Sequence, residues 1–483
     1  MMATMSDPTP TDAPSLTDAS VLTAVAAWMP TTRWYPLKGQ EVDIALETSY
    51  DLGDAEILLL RAGDTLLQVP VAWRDEPGSS PIAQLDGRWL VDACGDADAV
   101  QALLDVATGR RSVNGLDGDA TADPAPAGDI RVITGEQSNT SIIGGDGTWI
   151  AKVFRVVSPG DNPDVVVTGA LTRAGCDRIP HLLASVTAGW PAGDAFVTGH
   201  LLAVSEFVSG GQDAWELFRQ HALATLRGEQ PGDAPDARAL GEAVATVHRD
   251  LAAAMGTASA SEADTLRFIT GLEQRMAWAR QEAAGVLGEL HDELQAAADR
   301  LREVRQLGEL QQIHGDLHLG QVLRGADGGW VLLDFEGEPL RPMHERMVRE
   351  PRLRDVVGML RSFDYAAGSA LQELPDADGA AAGDWVWQRR AEFLAGYAEA
   401  AGPVDESDPV FTALLLDKAL YEVVYEVRNR PSWVAVPLEA VRALVTAPDG
   451  LAGSQPAPDP LAGSRPAPDP LAGSRPAPDP LVE

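Results

Sequence analysis

A chain of 483 residues with 45% hydrophobic and 23% charged side chains has the make-up of a globular protein large enough for two or three domains. Its formal net charge of −35 argues against a nucleic-acid partner, because a phosphate backbone needs a basic footprint. No apolar run approaches the roughly 20 residues that span a bilayer, the N-terminus lacks the basic and apolar regions of a signal peptide, and Cys94 and Cys176 are too few for a disulfide framework, so a cytoplasmic protein without membrane contact is expected.

In chain order, residues 1–18 are rich in Pro, Thr, Asp and Ser and predict a disordered tail. Residues 19–116 open with a short helical pattern and continue as strand-like runs (VDIALETSY, AEILLLRAG, TLLQVPVAW, GRWLVDAC), which predicts a small β-rich module. Asp, Pro, Ala and Gly over 117–128 suit an exposed linker. Residues 129–210 follow as antiparallel hairpins forming a small β-rich lobe. Long helical patterns then dominate 211–446, and a ten-residue Pro- and Ala-rich unit repeats through a disordered tail over 447–483. The expected class is α+β.

The strongest chemical signal is His314-Gly315-Asp316-Leu317-His318-Leu319-Gly320-Gln321, followed after a short turn by Leu333-Asp334-Phe335-Glu336. Protein kinases place a catalytic Asp five positions before a metal-binding amide, and a later Asp-Phe-Gly supplies the second metal ligand. Asp316 and Gln321 have that spacing, and Asp334 opens Asp-Phe-Glu after an apolar run. Phosphoryl transfer needs this set: Asp316 as base on the attacking hydroxyl, with Gln321 and Asp334 as oxygen ligands for Mg2+ on the phosphates of ATP. His314-x-x-x-His318 is not a zinc pair, since Gly315 and Gly320 oppose a helix and no Glu follows the first His.

Upstream, Gly135-Glu136-Gln137-Ser138-Asn139-Thr140-Ser141 lies between two strands. Hydroxyls and amides in such a turn can donate hydrogen bonds to phosphates, though they also fill ordinary turns, and Gln137, Ser138, Asn139, Thr140 and Ser141 are the candidates. Lys152 sits in an apolar strand and matches the lysine of Val-Ala-Ile-Lys that contacts nucleotide phosphates. It stands out because only three of the 37 basic residues are lysines, the others being Lys38 and Lys418. Glu206, at the end of a later strand-like run, joins this nucleotide set. Near the C-terminal end, helical spacing puts Lys418, Tyr421, Glu422, Tyr425 and Glu426 on one side, with Arg428 following. Aromatics mixed with charge suit a sugar site, and an ordinary solvated face has the same pattern. Asp355 and Arg361 have similar standing, and His318 and Glu336 complete the candidate acceptor set.

These motifs, together with Arg33-Trp34-Tyr35, Lys152-Val153-Phe154-Arg155, Asn162-Pro163-Asp164 and the run from Leu353 to Phe363, resemble the maltokinases of the aminoglycoside-phosphotransferase-like superfamily. The resemblance implies a bilobal eukaryotic-protein-kinase-like fold with an N-terminal cap and a large helical C-lobe. It also implies ATP- and Mg2+-dependent phosphorylation of maltose to maltose 1-phosphate; separately, a monomer is expected. Two stretches depart from the family pattern. Asn162-Pro163-Asp164-Val165-Val166-Val167 lacks the acidic residue expected to pair with Lys152, leaving Asp164 or Glu136 as replacements, and the 342–351 loop near the expected sugar site differs. The same core serves many acceptors, so glucosamine or an aminoglycoside is the alternative substrate. A pseudokinase-like binding module is opposed by the intact Asp316, Gln321 and Asp334.

Overall fold

The computed structural model describes residues 15–133, 138–229, 234–338 and 341–446, so nearly all of both expected tails lies outside it. The chain divides into two compact units. One runs to Gly169 and resumes over His181–Phe207; the other comprises Ala170–Pro180 and continues from Val208.

In the first unit the strands Ala55–Ala62 and Thr65–Arg74 are apolar almost throughout because both faces of their sheet are covered. Side chains alternate across a strand. Leu58 and Leu60 accordingly pack with Val21 and Val25 of the helix Ala19–Trp28, whereas Ile57 and Leu59 point the other way, into a cluster with Ile142, Trp149, Val153 and Leu202. The antiparallel sheet runs Ile44–Asp51, Ala55–Ala62, Thr65–Arg74, Arg88–Asp92, Pro81–Leu85, and Val156–Val157 adds to Thr65–Arg74 from later in the chain.

The second sheet of this unit is ordered Leu116–Ala120, Leu182–Ala192, Ala195–Glu206, Trp149–Phe154, Asn139–Gly144, Arg131–Val132. The stretch expected as a linker therefore begins with an edge strand, antiparallel to Leu182–Ala192 from Ala184↔Ala120 to Ala188↔Leu116. Its side chains beyond Leu116 are exposed, which explains its polar composition, but its backbone belongs to the sheet.

The second unit is mainly helical, as expected from its periodicity, with long helices at Ala237–Met255, Glu262–Glu282, Leu353–Glu373, Gly379–Ala401 and Pro409–Asn429. Its core gathers Phe218, Trp330, Phe363 and Phe393. A small antiparallel sheet of Gln212–Asp213, Val322–Arg324 and Trp330–Leu332 is set among these helices. The α+β expectation thus holds, with strands concentrated in the first unit and helices in the second. Among the described residues no helix is long and apolar enough to cross a membrane.

Candidate active site

Pairing of Val322↔Leu332 and Arg324↔Trp330 makes a tight hairpin, and the ladder continues where Leu333 N–H donates to the Gln321 carbonyl at 2.9 Å. The segments flanking the hairpin, which carry Asp316 and Asp334, are thereby held side by side, and His314 Nε2 lies 2.8 Å from the Leu333 carbonyl. Gln321 donates from its amide nitrogen to Asp334 Oδ2 at 3.3 Å. Asp334 has φ +60°, a left-handed backbone that costs a residue with a Cβ of order 1–3 kcal/mol and collects at functional sites.

The loop before Asp316 is fixed from behind. Asp355, in the first turn of Leu353–Glu373, accepts the His314 N–H at 2.8 Å and the Gly315 N–H at 2.9 Å, and meets His248 Nε2 at 3.0 Å. His248 Nδ1 reaches the Tyr397 hydroxyl at 2.8 Å. Burial works to raise the Asp355 carboxyl, but the bond and charge of His248 and the loop amides outweigh it and hold the group below the usual range. Gly358 lies one turn further along the helix, where a Cβ would overlap the Leu317 carbonyl, so the close approach of helix and loop requires glycine.

Asp316 is 8% exposed and faces Lys418, whose Nζ is 3.5 Å from Oδ1. Burial pushes the Asp316 carboxyl up, with Lys418 the largest opposing influence. Lys418 also lies over the Tyr421 ring at 5.6 Å, and Tyr421 meets Trp278 at 6.5 Å. Arg346, which sequence reasoning missed, directs its charge at Glu336, Asp334, Asp316 and Glu338 while its guanidinium donates to the carbonyls of Arg341 and Glu336. Its only signal in the sequence was its place in the divergent 342–351 loop.

Several candidate acceptor residues have other duties in this structure. Asp355 spends both oxygens on the amides of His314 and Gly315 and on His248 Nε2, so in this structure it positions the loop before Asp316. Glu422 is buried against Arg361, with Oε2 2.6 Å from Nη2, and Arg361 also pairs with Asp364. Glu426 accepts from Tyr365 at 3.2 Å and pairs with Arg430 at 2.7 Å, and Arg430 covers the Tyr425 ring at 5.5 Å. Arg428 pairs with Glu282 at 2.7 Å and lies over Trp278. His318 caps its own loop, accepting the Gly320 N–H at 3.1 Å. Lys418 and Tyr421 are the members of the helical set that come to Asp316.

In the first unit, residues 134–137, Gln137 among them, lie outside the described residues. Asn139, Thr140 and Ser141 pair with Phe154, Val153 and Lys152 across the hairpin, and Ser138 precedes them. Thr140 and Ser141 are buried, and the Thr140 hydroxyl accepts from Arg155 Nε at 2.7 Å. Lys152 Nζ is 3.0 Å from Asp164 Oδ2, both side chains being less than a fifth exposed. Asp164, at the start of Pro163–Ala174 where its N–H donates to Asn162 Oδ1 at 3.0 Å, is thus a carboxylate partner of Lys152 among the described residues, and Glu136, the other candidate, lies outside them. Glu206 accepts the His181 N–H at 3.0 Å and its side chain is about half exposed.

Residues 28–96 match the maltokinase N-terminal cap domain, and residues 188–393 match the phosphotransferase enzyme family. The chain is 31% identical over 385 residues to a glucosamine kinase of Mycolicibacterium smegmatis (strain ATCC 700084 / mc(2)155), covering 75% of this chain and 92% of the relative. It is 30% identical over 333 residues to a glucosamine kinase of Streptacidiphilus jiangxiensis, covering 66% and 74%. A solved glucosamine kinase in complex with glucosamine, ADP and inorganic phosphate superposes with a TM-score of 0.68 at 25% identity, covering 88% of this chain and 98% of that one. A second crystal form of a glucosamine kinase gives 0.69 at 26% identity, covering 88% and 99%.

Proposed function

Because the chain belongs to the aminoglycoside-phosphotransferase-like sugar kinases that carry a maltokinase-type cap, we propose that it transfers the γ-phosphate of ATP to a hydroxyl of glucosamine. The observation that carries the reading is Asp316: a buried carboxylate beside a lysine, on a loop whose amides are held by Asp355, with the Gln321–Asp334 pair on the flanking segment. In the second unit Asp316 orients the acceptor hydroxyl and takes its proton. Gln321 and Asp334 form an oxygen-only donor set, and since their mutual bond uses the amide nitrogen, the Gln321 carbonyl oxygen is the atom it can offer to Mg2+. When bound there, Mg2+ would neutralise charge on the phosphates. In the first unit Lys152, aligned by Asp164, is the cation for the nucleotide phosphates.

Glucosamine is favoured over maltose by the likeness to glucosamine kinases along most of the chain. Phosphorylation of maltose is the second reading, and the cap match over residues 28–96 supports it. The test is ADP release with glucosamine, N-acetylglucosamine, glucose and maltose. A charge-assisted hydrogen bond is worth about 1.5–3 kcal/mol, so kcat/KM for glucosamine should exceed that for glucose by at least about tenfold. Preference for maltose would replace the acceptor assignment, and no ADP release with any sugar would refute the kinase reading.

A further inference from the structure

We infer that Arg155 is a positioning residue through which the N-terminal cap sets the nucleotide-binding hairpin of the first unit. The Arg155 side chain has no exposed surface, and a guanidinium keeps its charge when buried, so its place depends on the partners that surround it. Those partners come from two separate stretches of chain. Asp92 Oδ2 lies 2.5 Å from Nη2, and the Trp34 ring covers the guanidinium at 4.6 Å. Both belong to the segment that matches the cap domain. From the hairpin, the Thr140 hydroxyl accepts from Nε at 2.7 Å.

Each contact is itself anchored. Asp92 ends the strand Arg88–Asp92, and its other oxygen accepts the Cys94 N–H at 3.1 Å, which orients the carboxylate from the cap side. Trp34 meets Trp28 and Tyr35 edge-on, at 5.9 and 6.4 Å. The Arg33-Trp34-Tyr35 motif, which the catalytic reading leaves without a role, thus supplies the aromatic face for Arg155. The Arg155 carbonyl accepts the Gln68 N–H at 2.8 Å, and Val156–Val157 pairs with Leu66 and Leu67 of the cap sheet. The chain leaving the Lys152 strand is therefore stitched to the cap by side chain and backbone together.

The consequence falls on Thr140. It pairs with Val153, next to Lys152, so the bond from Arg155 fixes the hairpin strand beside the lysine and turns the hydroxyl inward. Asn139, the next residue, pairs with Phe154 beside Arg155. Weakening the charge on Asp92 loosens Arg155 and, through it, the hairpin. This inference rests on the reading that the hairpin and Lys152 bind the phosphates of ATP.

The experiment uses the full chain carrying Asp92→Asn, which keeps the shape and an oxygen for the Cys94 N–H but removes the charge and turns an amide NH2 towards Arg155 in place of the acceptor. MgATP affinity is measured by calorimetry without sugar, and KM for ATP and for sugar by ADP release. A displaced positioning contact costs about tenfold or more, so ATP affinity should fall by about that factor while KM for the sugar moves less than about twofold. Trp34→Leu, which removes the ring and leaves the carboxylate, should shift ATP affinity in the same direction by a smaller factor, and it serves if Asp92→Asn does not fold. Unchanged ATP affinity in a folded variant, or equal losses for both substrates, overturns the coupling. If the unaltered protein binds no MgATP, the nucleotide reading fails and the inference fails with it.

Discussion

Replacing Lys418 by methionine should move the acid limb of the pH–rate profile upward. Lys418 Nζ lies 3.5 Å from Asp316 Oδ1, and two unit charges at that separation interact by about 5 kcal/mol at an effective dielectric near 20. About 1.4 kcal/mol corresponds to one pKa unit, so a fraction of this interaction is enough to displace the titration visibly. Burial already raises the Asp316 carboxyl; Lys418 opposes that most, His318 and His314 follow, Glu338 adds to the rise, and Arg346 also faces the group. The base works as the carboxylate. Losing the neighbouring cation favours the protonated acid, so the carboxyl titrates higher and a smaller fraction is ionised at neutral pH. Methionine retains most of the aliphatic length of the side chain and removes the ammonium that lies over Tyr421, which keeps the change mainly electrostatic. ADP release measured from about pH 5.5 to about pH 9.5 should show the limb of kcat/KM raised by about one unit or more, with activity partly recovered at the alkaline end. A lower kcat/KM at every pH with an unmoved limb would refute the argument and make Lys418 a contact to sugar or phosphate.

Asp316→Asn should lower kcat by roughly 10²–10⁴-fold, the usual contribution of a general base, while MgATP affinity in calorimetry stays within about twofold; loss of nucleotide binding would contradict the assignment. Glu350→Gln should destabilise the protein by about 1–3 kcal/mol near neutral pH in urea unfolding, because Arg341 and Arg354 lose their shared carboxylate and keep only Glu338 and Asp417 respectively. Burial works to raise the Glu350 carboxyl, but the charges of Arg354 and Arg341 outweigh it and bring it to about 2. Its contribution is therefore fully present above the ordinary value of 4.5 and is lost as pH falls towards about 2, so the gap between wild type and variant should narrow over that interval. A gap that is constant with pH would show that packing, and not charge, accounts for the loss.

The parts of the candidate site that are legible in the sequence are those assembled locally. Asp316, Gln321 and Asp334 flank one short hairpin, so their spacing along the chain largely decides their spacing in space. Lys152 is legible for a different reason: a cation in an apolar strand stands out in a chain with three lysines. That Asp164 reaches Lys152 is less legible, because it depends on where Pro163–Ala174 begins relative to the strand, and a helix start is set by a cap such as Asn162 that periodicity does not resolve.

The acceptor helix shows where periodicity loses resolution. One turn takes 3.6 residues, so Lys418, Tyr421 and Glu422 fall on one broad side, yet neighbouring elements divide that side finely. The buried Arg361 of Leu353–Glu373 claims Glu422, Tyr365 of the same helix claims Glu426, and the catalytic loop receives Lys418. For Asp355, a carboxylate near the Asp316 motif suggests a sugar ligand, whereas its partners in the structure are two backbone amides, which carry no mark in a sequence, and His248, 107 residues away. Arg155 lies furthest from what local reasoning can reach: its carboxylate partner is 63 residues away, and the motif that covers it is in a module with no catalytic residue of its own. A buried arginine next to a strand end gives no hint of which distant carboxylate neutralises it; the shared core of the cap and hairpin sheets and the pairing of Val156–Val157 bring Asp92 to it.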